Sequence, residues 1–241
     1  MKTNPLITDH PRPFFEHLEE LRARLIRCFV ALLAGTVVAY QFLDPILAFL
    51  IRPAGRLIFI SPTEAFFVRL KIAVAAGLVL AAPVLIYQAW RFVSVALTPG
   101  EKAPLLWVLP ISYVLFLLGA SFGVFVLLPA GIRFLLSYQT ASLVPALSAD
   151  AYFGFAATFA LMLGAVFQMP LAAYFLGRVG VLDPVWLSGK RKVAIVAIYA
   201  LCALATPGPD PVTALMLAGP TYLLFEISIF AAKKANKHAK P

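Results

Sequence analysis

The sequence predicts an all-α polytopic membrane protein with a single membrane domain over residues 1–241, and three observations support this prediction. Hydrophobic residues make up 62% of the chain, against roughly 45–50% in soluble domains. Only 13% of the residues are charged, about half the usual ~25%. The apolar residues fall into six runs, and because a helix needs about 20 apolar residues to cross a bilayer, the length accommodates about six spans. The two cysteines lie in apolar runs, which excludes a disulfide framework.

The first three predicted spans fill the N-terminal half of the chain. The first, 25–43, follows a charged segment without an early apolar stretch, so we expect it to stay as an anchor rather than to be cleaved. The second span, 66–90, contains Pro83, and the third, 105–128, contains Pro110 near its start. Such prolines are compatible with spans because neighbouring helices can satisfy the carbonyl groups that they free.

The last three predicted spans are less uniform. The fourth, 152–176, contains Pro170. The fifth, 193–205, is short for a full crossing, and only the dense motif 206–211 separates it from the sixth, 212–232. A short span can thin the bilayer locally or pack beside longer neighbours. A buried helical hairpin is the alternative interpretation of this pair.

The loop charges predict the orientation. With both termini on the cytoplasmic side, fifteen of the twenty Lys and Arg residues lie inside and five lie outside. Four of the five outer charges cluster at the first outer loop. Because the basic residues flank apolar spans, we interpret the net charge of +9 as topology and contact with anionic lipids rather than nucleic-acid binding. The outer residues are Arg52, Arg56, Arg69, Lys71 and Arg133.

The sequence lacks the marks of an enzyme. It has no phosphate-binding glycine loop, no nucleophile elbow and no spacing of metal ligands, so no cofactor is predicted, and transport or binding is the favoured class. Polar residues inside spans are functional candidates because they are costly there. Gln168 fits an interhelical hydrogen bond or a transport path, and Glu226 fits a carboxylate that either snorkels or pairs near the cytoplasmic boundary. Gly119 and Gly123 form a GxxxG pattern, which predicts close helix packing.

The segment before the first span predicts an amphipathic helix. Pro13 suits the first turn of such a helix. Leu18, Leu21 and Leu25 share one helical face. Glu20 and Arg24 are four residues apart, so they can form an ion pair.

His17–Arg22 (HLEELR), followed by a basic and then an apolar run, strongly resembles TatC, the polytopic subunit of the twin-arginine protein translocase. Further segments match the family in order, and the resemblance covers about residues 15–232. These segments are Ser61–Phe66 (SPTEAF), Ala82–Phe92 (APVLIYQAWRF), Glu101–Lys102, Phe167–Pro170 (FQMP), Lys190–Lys192 and Thr206–Pro211 (TPGPDP).

The resemblance implies six transmembrane helices in a concave fold in a bacterial or archaeal cytoplasmic membrane. It also implies a receptor for signal peptides with two consecutive arginines, working with TatA and TatB in an oligomeric complex to export folded proteins with the protonmotive force. Arginine pairs well with carboxylates through planar, bidentate hydrogen bonds. We therefore expect Glu20 and Glu101 to receive the arginine pair, with Glu19 as a further contact and Phe92 shaping an apolar edge.

The resemblance also suggests partner-contacting and structural residues. Gln168, Met169 and Pro170 are expected on the concave surface that meets partner helices. Many family members carry Glu at position 168, and the Gln of this chain cannot titrate. We expect structural roles for Pro53, Pro83, Pro207 and Asp210.

The alternative function is a small secondary transporter with a polar site around Gln168 and Glu226. Such a fold should show a repeat between its halves. The first three runs do not resemble the last three.

Overall fold

The computed structural model of this chain describes residues 14–94, 105–139, 146–206 and 211–237. These residues are helical apart from turns, short connections and one isolated bridge. The helices are α1 Phe14–Gln41, α2 Leu43–Ile51, α3 Glu64–Ser94, α4 Leu105–Phe122, α5 Leu128–Leu136, α6 Ala149–Val166, α7 Met169–Arg178, α8 Pro184–Gly189, α9 Arg191–Ala205 and α10 Pro211–Lys237. A five-residue π-helical turn, Gly123–Leu127, joins α4 to α5.

Five stretches of the described helices are long and apolar enough to cross a membrane. The stretch that corresponds to the fifth predicted span is α9, which has 15 residues and does not meet this criterion. At about 1.5 Å per residue it reaches roughly 22 Å, short of the ~30 Å hydrocarbon core. The five stretches are Leu18–Gln41, Glu64–Phe92, Trp107–Leu136, Ala149–Arg178 and Pro211–Asn236.

Two ends of the bundle can be told apart by their contacts. At one end, which we call the Glu20 end, the start of α1 meets the end of α3, and Trp90 of α3 contacts Phe175 of α7 with ring centroids 4.9 Å apart. At the other, the Glu64 end, the start of α3 meets the start of α6. The end of α10 packs beside Gly177 of α7. The described N- and C-terminal helices therefore start and finish at the same end.

The centre of the bundle is α6. Its Phe159 and Leu163 side chains are fully buried, and it packs against α3, α4 and the π-helical turn. By contrast, α1 packs mainly on α3, and its large side chains such as Phe29 and Val37 are exposed. This distribution fits a membrane protein because apolar side chains on the outer surface can face lipid.

Two pairs of glycines allow the helices to approach closely. A Cβ atom added at Gly77 would lie 2.5 Å from the backbone of Thr36, and one added at Gly35 would lie 2.5 Å from the Gly77 carbonyl oxygen. A Cβ at Gly123 would lie 2.5 Å from the Phe159 carbonyl oxygen, and Gly119 is similarly close to α6. The GxxxG prediction of close packing is confirmed.

The helices differ from the predicted spans mainly at breaks. The third run continues beyond 128 to Leu136, and the fourth breaks between α6 and α7, where Pro170 lies in the first turn of α7. Proline suits a first turn because it has no N–H group to donate. The separate helix α2 was not predicted: Phe42 and Leu43 continue the apolar pattern across the break that ends α1.

Candidate functional site

An ion pair between α1 and α3 marks the Glu20 end. The Arg24 guanidinium pairs with Glu20 one turn earlier and donates to the Gln88 backbone carbonyl of α3 at 3.4 Å. The Arg24 residue is only 7% exposed, whereas the Glu20 side chain is 22% exposed. The predicted pairing of Glu20 with Arg24 is confirmed. The carboxylate thus pairs with a buried arginine, and its own side chain stays partly exposed.

Two buried polar atoms beside this pair have no hydrogen-bond partner among the described residues. They are Nε of Arg24 and the side-chain oxygen Oε1 of Gln88. Unpaired buried polar atoms are costly, and they are rare in folded proteins. Sequence reasoning overlooked Gln88, although a lone amide inside the apolar run 66–90 is a signal of the same kind as Gln168.

Phe92 and Glu19 lie near Glu20. Since α1 and α3 run antiparallel, with Gly35 beside Gly77 and Arg24 beside Gln88, the next turn of each helix brings Phe92 level with Glu20. Phe92 is half-buried and Glu19 is exposed. Glu101 lies outside the described residues.

Gln168 sits at the break between α6 and α7. Its side-chain amide donates to the Ser112 carbonyl of α4 at 2.9 Å and to the Gly164 carbonyl at 3.5 Å. The hydroxyl of Ser112 in turn accepts from the indole N–H of Trp90 at 2.9 Å. The predicted interhelical hydrogen bond of Gln168 is confirmed. Met169 and Pro170 are half-buried beside it, so all three remain partly accessible.

At the Glu64 end, one carboxylate joins the start of α3 to the start of α6. Oε1 of Glu64 accepts from the Ser148 hydroxyl at 2.5 Å and the Asp150 amide at 2.7 Å, and Oε2 accepts from the Ile60 amide at 2.7 Å and the Ser61 amide at 3.4 Å. Backbone bonds between Ile58 and the Leu147–Ala149 segment reinforce the junction. Sequence reasoning missed this role, although an acidic residue at a helix start is a recognisable capping signal.

The predicted structural prolines have different settings. Pro53 is exposed in the turn after α2, and Pro83 is exposed inside α3. Pro207 and Asp210 lie outside the described residues. The structural roles of these four residues stay predictions.

Glu226 is the other carboxylate singled out by the sequence. It receives two hydrogen bonds from the Arg191 guanidinium, at 2.8 Å and 3.0 Å, and a third from the Tyr222 hydroxyl at 2.8 Å. The prediction of a paired carboxylate is confirmed. Within the described ranges, no three His, Cys, Asp or Glu side chains lie together in a way that would hold a metal ion.

Comparisons with known proteins agree with this arrangement. The family model described as Sec-independent protein translocase protein (TatC) matches residues 16–220. The Sec-independent protein translocase protein TatC of Aquifex aeolicus is 39% identical over 236 residues, covering 95% of this chain and 98% of the relative. The protein of the same name from Carboxydothermus hydrogenoformans is 36% identical over 229 residues, covering 93% and 94%. A crystal structure of a twin-arginine translocase receptor, TatC, superposes with a TM-score of 0.85 at 38% identity, covering 91% of this chain and 99% of that one.

Proposed function

Because the chain belongs to the TatC family of Sec-independent protein translocase proteins, we propose that it is the receptor subunit of a twin-arginine translocase. In this proposal it binds signal peptides with two consecutive arginines at the Glu20 end, which faces the cytoplasm. With TatA- and TatB-type single-span subunits and the protonmotive force, it exports folded proteins across a bacterial or archaeal cytoplasmic membrane.

The observation that carries the proposal is the state of Glu20. This carboxylate already binds a guanidinium, that of Arg24, and keeps part of its surface open. An arginine of an incoming peptide offers the same planar donor group, so it can join or replace Arg24 at the same oxygens. At this end of the spans, partial dehydration by headgroups would strengthen such a pair relative to water.

A second carboxylate is needed because the peptide brings two positive charges. We assign this role to Glu101. In the chain, Glu101 follows the end of α3, and Glu20 lies near the start of α1. Glu19 is exposed one residue from Glu20 and is a further contact. The half-buried Phe92 supplies an apolar edge against which the aliphatic part of an arginine can pack.

The partner-helix surface is proposed around Gln168, Met169 and Pro170. The break between α6 and α7 interrupts regular helix packing there, and all three residues remain partly exposed. Because the Gln168 amide does not titrate, this position can contribute hydrogen bonds to a partner helix but cannot carry a proton. Use of the protonmotive force would therefore depend on groups elsewhere.

The alternative of a small secondary transporter is not favoured by the geometry. Gln168 donates to main-chain carbonyls of α4 and α6, and Glu226 is held by Arg191 and Tyr222. Each side chain is engaged by its own protein partners, so the pair does not form one open polar site.

Peptide binding tests the receptor proposal directly. We expect a fluorescent twin-arginine peptide to bind the purified chain in detergent, and a twin-lysine version to bind much more weakly, because lysine lacks the planar fork. Glu20→Gln and Glu101→Gln should each weaken twin-arginine binding by roughly 10–100-fold, the range for a charged hydrogen bond.

The matched control is Asp183→Asn, which also removes one exposed carboxylate. Asp183 caps α8 by accepting from the Val185 amide at 2.8 Å, and the asparagine oxygen can take over this bond. Binding should be unchanged in this control. Equal affinity for the two peptides, or full binding by both glutamate variants, would contradict the receptor assignment.

The partner surface needs a separate test. A photo-crosslinking amino acid at Met169 should capture a TatA- or TatB-type subunit in membranes, whereas one at the exposed Val181 should not. Absence of any adduct at Met169, with peptide binding intact, would remove the partner surface from the proposal and leave the receptor function standing.

A further inference from the structure

An open groove runs along the outside of the bundle from the Glu64 end to its middle. It lies between α2 on one side and α4 with the π-helical turn on the other, and α3 and α6 form its floor. Its widest part encloses about 470 Å³. A second part of about 340 Å³ extends towards the Glu64 end, and a third of about 100 Å³ extends towards α6. Leu50 and Val124 line all three parts, so they form one continuous groove.

The wide part of the groove is apolar. Phe49 and Phe125 both line it and contact each other edge to face, with ring centroids 5.5 Å apart, and Phe125 is 62% exposed. The deepest wall includes Val79, near the middle of the Glu64–Phe92 stretch. From Glu64 to Val79 a helix rises about 22 Å, so the groove reaches about as far as one leaflet. In a bilayer such a surface is covered by acyl chains or by another apolar helix.

The groove ends at two arginines. Arg52 and Arg133 line its Glu64 end, and the Arg52 guanidinium stacks over Phe49 at 5.7 Å. Among the described residues neither arginine forms an ion pair, whereas the neighbouring cations Arg69 and Lys71 pair with Asp44 and Asp150 at 2.8 Å and 2.6 Å. Arg52 and Arg133, the two cations that face the apolar groove, thus have no carboxylate partner among the described residues.

We propose that this groove binds an anionic glycerophospholipid, with its phosphate between Arg52 and Arg133 and one acyl chain along Phe49, Phe125 and Val79. Arginine forms paired hydrogen bonds with phosphate, and the apolar length suits an acyl chain. The π-helical turn supports this assignment because such turns commonly mark functional positions, and here it presents Val124 and Phe125 to the groove. A partner helix is less suited because its apolar side chains would leave both arginines without an anionic partner.

Fluorescence quenching tests both halves of the proposal. A Phe125→Trp chain is reconstituted in phosphatidylcholine vesicles that contain a small fraction of lipid with brominated chains. We expect brominated phosphatidylglycerol to quench the added tryptophan more strongly than brominated phosphatidylcholine. The parent chain, with Trp90, Trp107 and Trp186, supplies the background signal.

The arginine variants identify the headgroup contact. Arg52→Gln and Arg133→Gln should each reduce the preference for phosphatidylglycerol by about fivefold, the usual effect of one basic residue near an anionic surface. Arg56→Gln is the matched control, since Arg56 is exposed at the same end and does not line the groove. Retained helicity and an unchanged unfolding temperature would show that the variants are folded.

Three results would overturn the proposal. Equal quenching by the two brominated lipids would show that the arginines select no headgroup, and an Arg56→Gln effect as large as that of Arg133→Gln would indicate general surface charge. Relief of quenching by soluble glycerol phosphate would mean that the arginines bind a free anion. Relief by a TatA-type single-span peptide at equal molar ratio would identify the groove as a protein-docking surface instead.

Discussion

Glu20 and Glu64 are both helix-borne glutamates, at opposite ends of the bundle, and their partners differ. Both oxygens of Glu64 are used twice, by three backbone amides and the Ser148 hydroxyl, and the residue is 8% exposed. Glu20 pairs with a side chain, Arg24, and stays more open. Beside Glu20, polar atoms of Arg24 and Gln88 remain unpaired within the described structure, whereas no such atom is found around Glu64 in the described residues.

The difference separates a structural carboxylate from an exchangeable one. Backbone amides are fixed by the fold, and those of Ile60, Ser61 and Asp150 hold the Glu64 carboxylate between the start of α3 and the start of α6. The pair at Glu20 is formed by two side chains, so it can open without a movement of the helix backbones. A site that must accept a guanidinium from another molecule is better built from the second kind of pair.

The largest expected effect is on stability, from Glu64→Gln. Each oxygen of the Glu64 carboxylate accepts two hydrogen bonds. Glutamine replaces one of these oxygens with an NH2 group, so in either orientation of the amide two donors point at another donor. We expect the apparent Tm of the detergent-solubilised chain to fall on the order of 5–10 °C. Thermal unfolding followed by circular dichroism measures it.

Glu20→Gln is the matched comparison for this prediction. The Oε1 atom of Glu20 accepts from Arg24, and a glutamine oxygen can take over that bond. The apparent Tm should therefore fall less than in Glu64→Gln, with the lost countercharge of Arg24 as the remaining cost, while twin-arginine peptide binding falls. Equal losses of Tm in the two variants would show that both carboxylates are structural and would break the comparison.

A smaller effect is expected at Gly77, where α3 packs closely against α1. Gly77→Ala forces a Cβ to within 2.5 Å of the Thr36 backbone, so α1 must move away from α3. We expect a stability loss of about 1–3 kcal/mol, the usual cost of overpacking, together with weaker twin-arginine binding because Arg24 and Gln88 separate. Chemical unfolding and peptide titration on the same sample measure the two quantities.

Two other glycines sharpen this test. Gly123→Ala at the seam with α6 should lower stability by a similar amount without changing peptide affinity, since it lies far from Glu20. Gly219→Ala meets no atom within 4 Å and should be neutral or slightly stabilising. If Gly77→Ala leaves peptide affinity unchanged, the contact between α1 and α3 does not shape the site.

Much of the fold could be predicted because spans are encoded by local composition. Apolar runs predicted the long helices, and residues four apart predicted the Glu20–Arg24 pair. The break at Gln168 and the separate helix α2 were missed, since in both places the apolar pattern continues while the backbone turns. Composition indicates which stretches are apolar enough to cross a membrane, but not where the helix axis changes.

The site was less predictable because its partners come from distant parts of the chain. Ser148 and Asp150 reach Glu64 across more than 80 residues, and the Gln88 carbonyl reaches Arg24 across 64. No periodicity links such residues. A single polar residue in an apolar run, such as Gln88, indicates that a partner exists but does not identify it.

The smallest effect is expected from Glu226→Gln. This variant tests whether Glu226 is a structural carboxylate like Glu64 or an exchangeable one like Glu20. Its ion pair with Arg191 is two-pronged, but the two side chains are 32% and 46% exposed, and the Tyr222 hydroxyl can still donate to a glutamine oxygen. Since exposed pairs contribute little, the apparent Tm should change by less than about 2 °C. Tyr222→Phe, which keeps the ion pair and removes one donor, is the control. A fall in Tm as large as that of Glu64→Gln would instead mean that α9 depends on Arg191 to stay packed against α10. With 15 residues, α9 is too short to be held by the bilayer alone.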